Sequence, residues 1–409
     1  MPVCMDLTCI PWIEKANKIL IAVLVVMIIG CSLDPPESEI TLIVAGQALI
    51  KIDPRLSWEN PFGSLRPVLD NADVAFTNFE MAVKSEHDRC GVPEDYVVVL
   101  GEPSLPRGQR PGNTGGPHAV EPGVMEFLAS LGFNLMSISN NHAWDLGDCG
   151  VAATRLSAET NEVVYAGGGV DLATATGPAY IEVGGVTIGL IAATTSRDER
   201  DLISGTVNGV WTGQQEDIDR NLQVVGEATD HADFVIYYQH FQIDRDDFDD
   251  LGHETVPDLH EWQSDFARMV IDAGASMYVG HGERAFDGLE IYKGKPLIRQ
   301  LGGLAYQGLQ PGIGAYEASR PWEGLLSELT IRNGRVVSME FIPLDLDEGE
   351  TYRSDLDDIP FLTRRGLAEI AVQEQAQSIL EDFIDLSAKY GTELTIRDGR
   401  AVLELEGMR

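Results

Sequence analysis

The chain has 409 residues, enough for two or three domains at about 150 residues each, and its 44% hydrophobic and 23% charged residues exclude a wholly disordered polymer. Asp and Glu total 65 against 29 Lys and Arg, a net charge of −36 that repels phosphate backbones. The bases Arg55, Arg66, Arg89, Arg107 and Arg110 are interleaved with acids, so no basic patch offers a nucleic-acid surface, and five cysteines without a CxxC exclude a zinc ribbon.

At the N-terminus, Lys15 and Lys18 precede the apolar run Ile19–Ile29. As a helix this run would be about 16 Å long, short of a hydrocarbon core of about 30 Å. A basic start, a short apolar core and Gly30 before Cys31 read as a secretory signal over residues 1–30. Ile28-Ile29-Gly30-Cys31 also resembles a bacterial lipoprotein box, which makes Cys31 the lipidation site and residues 31–38 a short tether; an uncleaved signal anchor is the alternative. The expected location is extracytoplasmic, on a membrane through a lipid. Removing residues 1–30 takes away Asp6, Glu14, Lys15 and Lys18, so the charge stays −36, the mark equally of an acidic surface suited to a saline medium. It leaves Cys90 and Cys149 either as free thiols or as a disulfide in an oxidising compartment.

The body then alternates β-type runs with helical stretches. Strands are expected at Ile40–Ala45, Val74–Asn78, Asn134–Ile138, Phe234–Tyr238 and Met277–Val279, with a hairpin joining Tyr180–Val183 to Val186–Ala192 around Gly184-Gly185. Helices are expected at Val124–Leu131, through Trp262, Phe266, Met269 and Val270 to a stop at Gly274, and from Leu367 to Tyr390. A last hairpin joins Thr392–Ile396 to Ala401–Leu405. Residues 84–117 read as an exposed loop, and Asp244–Glu261 as a solvated acidic loop. This order gives an α/β fold with some antiparallel pairing, residues 39–349 as the main domain and 350–409 as a C-terminal helix and hairpin packed on it.

Polar residues gather where apolar strands end, the side of an open α/β sheet on which ligands bind. Asn78-Phe79-Glu80 ends one strand; Ser139-Asn140-Asn141-His142-Ala143-Trp144-Asp145 follows another; Gln239-His240 and Gly280-His281-Gly282 follow two more. Each has an ordinary structural alternative: a satisfied core histidine, Asn140 and Asn141 as left-handed turn residues, Asp145 capping a helix near Gly147, Glu80 paired with an arginine. The same placement recurring on four strands favours a metal set, and imidazole with oxygen donors suits Zn, Mn or Fe. Gly167-Gly168-Gly169 lacks the strand–GxGxxG–helix context of a phosphate loop.

These segments resemble the CapA-type capsule proteins, associated with poly-γ-glutamate synthesis and related to the calcineurin-like metallophosphoesterases. Asn140-Asn141-His142-Ala143-Trp144-Asp145-Leu146-Gly147 is similar to the family's NNHxxDxG motif, Asn78-Phe79-Glu80 to its N-x-E, and Gly280-His281 with Leu289-Glu290-Ile291-Tyr292 to its late GH turn and hairpin. The resemblance implies a two-sheet sandwich flanked by helices. It makes Glu80, Asn141, His240 and His281 the metal ligands and His142, with Asp145, the group that assists at a leaving oxygen. Asn78, Gln47 and Glu283 would be supporting residues. It also implies a divalent metal, a hydrolase-type activity, and partnership with an envelope polymer such as polyglutamate, through Arg284 and Arg299, and with capsule-synthesis membrane proteins. The alternative is a non-catalytic polymer-binding scaffold. Three departures matter: the family's Gly-Asp is Gly46-Gln47, its GHxPH is His281-Gly282-Glu283-Arg284, and its SLGNF-like stretch reads Leu301-Gly302-Gly303-Leu304. Fewer anionic ligands point to one metal, or none, where the family pattern would hold two.

Overall fold

Strand β1 (Glu39–Leu49) is apolar on both faces, and the alternation sends its side chains to two cores: Leu42 and Val44 to one, Ile43 and Ala45 to the other. That double burial makes it the central strand of a layered protein. The computed structural model describes residues 38–92, 118–195, 205–210, 214–242, 259–283, 285–307, 322–346 and 363–405. Residues 1–37 lie outside this set, so the signal, the tether and Cys31 do too, as do Arg284 and most of the two predicted loops. Among the described residues no helix is long and apolar enough to cross a membrane.

The first sheet runs in space β17 (Thr395–Arg397), β18 (Arg400–Glu404), β15 (Arg335–Leu346), β14 (Glu323–Arg332), β1, β2 (Val74–Phe79), β5 (Leu135–Ser137) and β6 (Val164–Ala166). β13 (Gly303–Tyr306) lies beside β1 and β16 (Ala368–Ile370) beside β15. The second sheet runs β11 (Leu289–Tyr292), β12 (Lys295–Ile298), β10 (Met277–His281), β9 (Phe234–His240), β8 (Val186–Thr194) and β7 (Ala179–Val183). A small parallel pair, β3 (Ala82–Val83) with β4 (Ala119–Val120), stands apart. The two sheets close on a shared core in which the Phe76 ring lies 5.4 Å from that of Tyr238. The helices are α1 (Arg66–Leu69), α2 (Gly123–Ser130), α3 (Gly147–Thr160), α4 (Leu172–Thr176), α5 (Gln215–Ala228), α6 (Leu259–Ala273) and α7 (Gln373–Ala388). α2 covers the outer face of the first sheet with Val124, Phe127 and Leu128, and α5 and α6 cover the second with Val225, Phe266 and Val270. The fold is therefore the expected two-sheet α/β sandwich flanked by helices.

Strand direction fixes the site. β1, β2, β5 and β6 are mutually parallel, as are β8, β9 and β10, so each sheet brings several C-terminal strand ends to one edge. Register aligns Gln47 with Asn78, and His240 with His281.

The C-terminal region needs correcting. Leu367–Tyr390 is not one helix: Ala368–Ile370 pair with β15 as β16, and α7 begins only at Gln373, whose φ of 55° breaks the helical path. Nor is the final hairpin simply packed on the domain, because β18 pairs with β15 and continues the first sheet. Arg299 does not face a polymer. It is buried, ion-paired with Glu290, hydrogen-bonded to Ser264, and stacked 4.2 Å from the Tyr390 ring centre, where it ties α6 and the C-terminal helix to β12.

Candidate metal centre

Two turns of polar side chains organise the first-sheet edge. Asn140, one residue past Ser139, donates from Nδ2 to Asn78 Oδ1 (3.2 Å) and to the Phe79 carbonyl (2.8 Å), which locks the end of β5 to the end of β2. Its Oδ1 accepts the His142 backbone N–H at 3.0 Å, a side-chain turn that aims the next residues. Neither Asn140 nor Asn141 has a positive φ, so the left-handed turn alternative does not hold. Glu80 is anchored by its N–H to the Ala48 carbonyl (3.0 Å), and its carboxylate is buried. Gly46 is required here, because a Cβ would fall against the Gly302 carbonyl and within 2.8 Å of the Gly303 backbone.

Asp145 is not the helix cap. α3 is preceded by Leu146 without a side-chain cap, and Asp145 Oδ2 instead accepts from His142 Nδ1 (2.8 Å) and from the His118 backbone N–H (2.6 Å). The His118 and His142 rings stack with centroids 3.4 Å apart, and the donor atoms of His118, His142 and Asp145 all lie within 4.8 Å of one another. A disulfide joins Cys90 to Cys149, with Cα atoms 5.6 Å apart, and clips the chain after β3 to the first turn of α3.

The second sheet supplies imidazoles. His240 and His281 are fully buried at the ends of β9 and β10. Burial, and then the neighbouring His142 and His281, pushes His240 down from 6.5 to about 3; burial pushes His281 to about 3 as well. Both rings are thus neutral at ordinary pH. His240 Nδ1 is 3.5 Å from Asn78 Nδ2 and from the Tyr238 hydroxyl, and the Tyr238 ring lies 5.4 Å from His281. Because Tyr238 can accept, the tautomer that leaves the His240 Nε2 lone pair open is available. Glu80 acts electrostatically on that same Tyr238 hydroxyl, whose pKa burial raises well above its usual value. Asn141 Nδ2 donates to Gln242 Oε1 at 2.5 Å, bridging the two edges.

The structure therefore brings Gln47, Asn78, Glu80, Asn141, His142, Asp145, His240 and His281 to one end of the sandwich. Glu283 lies two residues past His281, its N–H held by Gln300 Oε1 at 3.2 Å. Two further site residues, His118 and Lys51, carry no signal in the sequence. Lys51, just beyond β1, has its backbone N–H on Gln307 Oε1 (2.9 Å). Burial lowers its pKa from 10.5 to about 8, against the opposing pull of Asp145 and Glu80.

Unpartnered donor atoms make this end a candidate for a divalent cation. Gln47 Oε1, Asn141 Oδ1, His240 Nε2 and both ring nitrogens of His281 are buried without hydrogen-bond partners among the described residues. Each such atom costs about 1–3 kcal/mol if left unsatisfied, and a cation accepting lone pairs would relieve that cost for the acceptors, one of the two nitrogens of neutral His281 being an N–H donor. The donor atoms of Glu80, His240 and His281 do not all lie within 4.8 Å of one another, so they would have to draw together to share one cation, whereas those of His118, His142 and Asp145 already lie that close.

The family model described as Bacterial capsule synthesis protein PGA_cap matches residues 41–307, from β1 through β13, and so spans every residue of this site. The chain belongs to that family. Among relatives by sequence, the uncharacterized protein y4sH of Sinorhizobium fredii is 23% identical, covering 89% of this chain and 93% of its own. The PGA biosynthesis protein CapA of Bacillus subtilis is 25% identical, covering 75% and 70%. A crystal structure of a hypothetical protein from Thermus thermophilus matches at 16% identity with a TM-score of 0.44, covering 75% of this chain and 99% of that one. The PGA_cap match stops at residue 307, so α7 and strands β14 to β18 lie beyond it, although those strands complete the same first sheet.

Proposed function

We propose that this PGA_cap protein acts in the synthesis or export of a capsule polymer of the poly-γ-glutamate type, as a metal-dependent hydrolase held at the outer face of the membrane through Cys31. Family membership and relatives bearing the names PGA biosynthesis protein CapA and Capsule biosynthesis protein CapA support the biological role. One observation carries the chemical reading: unpartnered imidazole nitrogens on His240 and His281 stand at the same end as the Asn141 amide oxygen and the Glu80 carboxylate. Those four residues would hold the cation, with Zn, Mn or Fe matching the donors. When bound, the cation supplies Lewis acidity to a substrate oxygen and offsets charge developing on it.

The chain's own residues handle the proton. Asp145 fixes the His142 ring through Nδ1, so Nε2 is the position left to face reacting atoms, and in the imidazolium form it would give its proton to a leaving oxygen. The His118 ring, stacked on His142, holds the imidazole plane from its other side. Asn140 fixes the backbone that carries both Asn141 and His142.

The test is metal analysis of the purified full chain together with hydrolysis assays on phosphodiester and γ-glutamyl substrates. Stoichiometric cation, and turnover lost in His142→Ala while the cation is retained, is the expected result. Stoichiometric cation with no turnover on either substrate class would favour the polymer-binding scaffold, for which the neutral Gln47 at the end of β1 is the supporting observation. A protein that takes up no cation would overturn the metal reading.

A further inference from the structure

His142 and Asp145 sit in a loop between β5 and α3 whose backbone makes successive tight turns. The Ala143 N–H lies on the Asn140 carbonyl (3.2 Å), that of Asp145 on the His142 carbonyl (3.2 Å) and that of Gly147 on the Trp144 carbonyl (2.8 Å). Such a loop keeps its shape when both ends are held. Asn140 holds the front through Asn78 and Phe79. The back enters α3 through Gly147 at φ 62°, behind a Leu146 that offers no side-chain cap. Side chains hold that first helical turn instead: Asp148 Oδ1 accepts from Trp144 Nε1 and from the Thr206 hydroxyl (2.9 Å each), and Cys149 is bonded to Cys90. α3 also rests on β3 through Thr154, which takes the Val83 N–H at 3.0 Å, but two turns further down the helix.

Across the sulfur bridge, Cys90 lies in the short turn Arg89–Gly91, its N–H on Asp88 Oδ1 (3.0 Å). That turn is clasped to the end of β4, where Arg89 and Lys84 both pair with Glu121 (3.1 and 2.9 Å). Just before β4 stands His118, whose carbonyl accepts from the Ala82 N–H (2.9 Å) and whose own N–H donates to Asp145 Oδ2 (2.6 Å). The links close a circuit: Asp145, four residues of chain to Cys149, the disulfide, Cys90, the β3–β4 pair, His118, and Asp145 again. Cutting the disulfide leaves the His118–Asp145 contact, and the stacked His118 and His142 rings, bridged by noncovalent links alone.

We infer that the Cys90–Cys149 disulfide is a positioning element for the His142–Asp145 pair, so that oxidation of the two thiols completes the proton-handling half of the site. The inference rests on His142 as the proton donor proposed above and is independent of the cation. Both cysteines are half-buried, beside exposed Asp88, Gly91 and Asp148, which leaves them within reach of thiol–disulfide exchange. Forming the bond joins the two sulfurs, releases two protons and passes two electrons to a disulfide oxidant, which leaves as a dithiol. A dithiol reductant reverses the step. A chain that has not met an oxidising compartment would then carry the residues of the site without their arrangement.

The experiment compares the detergent-solubilised full chain as oxidised, after dithiothreitol, and as Cys90→Ser/Cys149→Ser. Amide hydrogen exchange is read by NMR at His118 and at Val279, a fully buried residue of β10. Reduction should speed exchange at His118 at least about tenfold while Val279 keeps its protection. Turnover should fall at least about tenfold in kcat with KM within about twofold, and reoxidation of the wild type should restore both readings. The serine pair should match the reduced protein and not recover. Unchanged exchange at His118, or an unchanged kcat after reduction, would make the disulfide an incidental link. Equal loss at His118 and Val279, unfolding included, would make it a staple for the whole fold. Either result overturns the inference. An oxidised protein without turnover would contradict the hydrolase reading alone, because the exchange at His118 against Val279 still decides the role of the disulfide.

Discussion

The two sheets meet at one end of the sandwich with opposite habits. On the first-sheet edge a connected set of polar groups is used, although Gln47 Oε1 and Asn141 Oδ1 stay unpartnered among the described residues: Asn140 ties Asn78, Phe79 and His142 together, and one oxygen of Asp145 serves both His142 and His118. On the second-sheet edge His240 and His281 are fully buried, yet His240 Nε2 and both nitrogens of His281 have no partner among the described residues. The first edge is a rigid frame, and the second holds lone pairs that folding alone leaves unsatisfied. A structural role explains the first arrangement and not the second, because an apolar side chain at position 281 would fill the space without the desolvation cost.

The largest expected way to separate the edges is acid. Above pH 6.5 the folded and unfolded chains both carry neutral His240 and His281. Between 6.5 and about 3 the unfolded chain binds protons that the fold refuses. Stability of the metal-free protein should therefore fall as pH falls through that window, by on the order of several kcal/mol across the two rings. Urea melts at pH 7 and pH 4 measure it, and His281→Gln should flatten the pH dependence. Unchanged midpoints would mean the rings are not buried neutral.

Next comes ligand removal. His240→Ala or His281→Ala should weaken Mn2+ binding at least about 100-fold, since each removes a donor from a small set. In the metal-free protein, by contrast, His281→Leu should cost less than about 1 kcal/mol or even stabilise, because it removes unsatisfied polar atoms. A frame residue should behave in the opposite way. Asn140→Ala should destabilise the metal-free protein by about 3 kcal/mol, leaving a carbonyl, an amide oxygen and an N–H buried without partners. Chemical denaturation of the two variants side by side sharpens the contrast, and a larger loss in His281→Leu would break it. The smallest effect is expected where the edges touch. Gln242→Ala removes the bond from Asn141, and should cost about 1 kcal/mol of stability with a roughly tenfold loss in Mn2+ affinity, read by calorimetric titration.

Much of this was legible in the sequence, for identifiable reasons. β1, β2, β9 and β10 are apolar runs, and each ends in the polar residues that chemistry requires, so strand and site announced themselves together. The β7–β8 hairpin followed from Gly184-Gly185, both at positive φ. The β14–β15 hairpin was equally available, since its turn is Asn333-Gly334 with φ of 51° and 71°, and was not anticipated. The start of the predicted C-terminal helix was not legible, because Ala368–Ile370 are held as a strand by pairing with Leu344–Leu346 earlier in the chain. His118 and Lys51 carried no motif. Lys51 is marked only by lying just past a strand that ends at the site. His118 is tied to the centre through Asp145, 27 residues on, a contact no local pattern encodes.

The most direct test of the account is X-ray absorption at the manganese K-edge on the full chain loaded with Mn2+, compared with His240→Ala and His281→Ala. The expected spectrum contains imidazole scattering from two rings together with oxygen neighbours, and loses one ring's contribution in each variant that still binds. An oxygen-only shell, the same in wild type and both variants, would show that the second-sheet imidazoles do not hold the cation and would contradict the account.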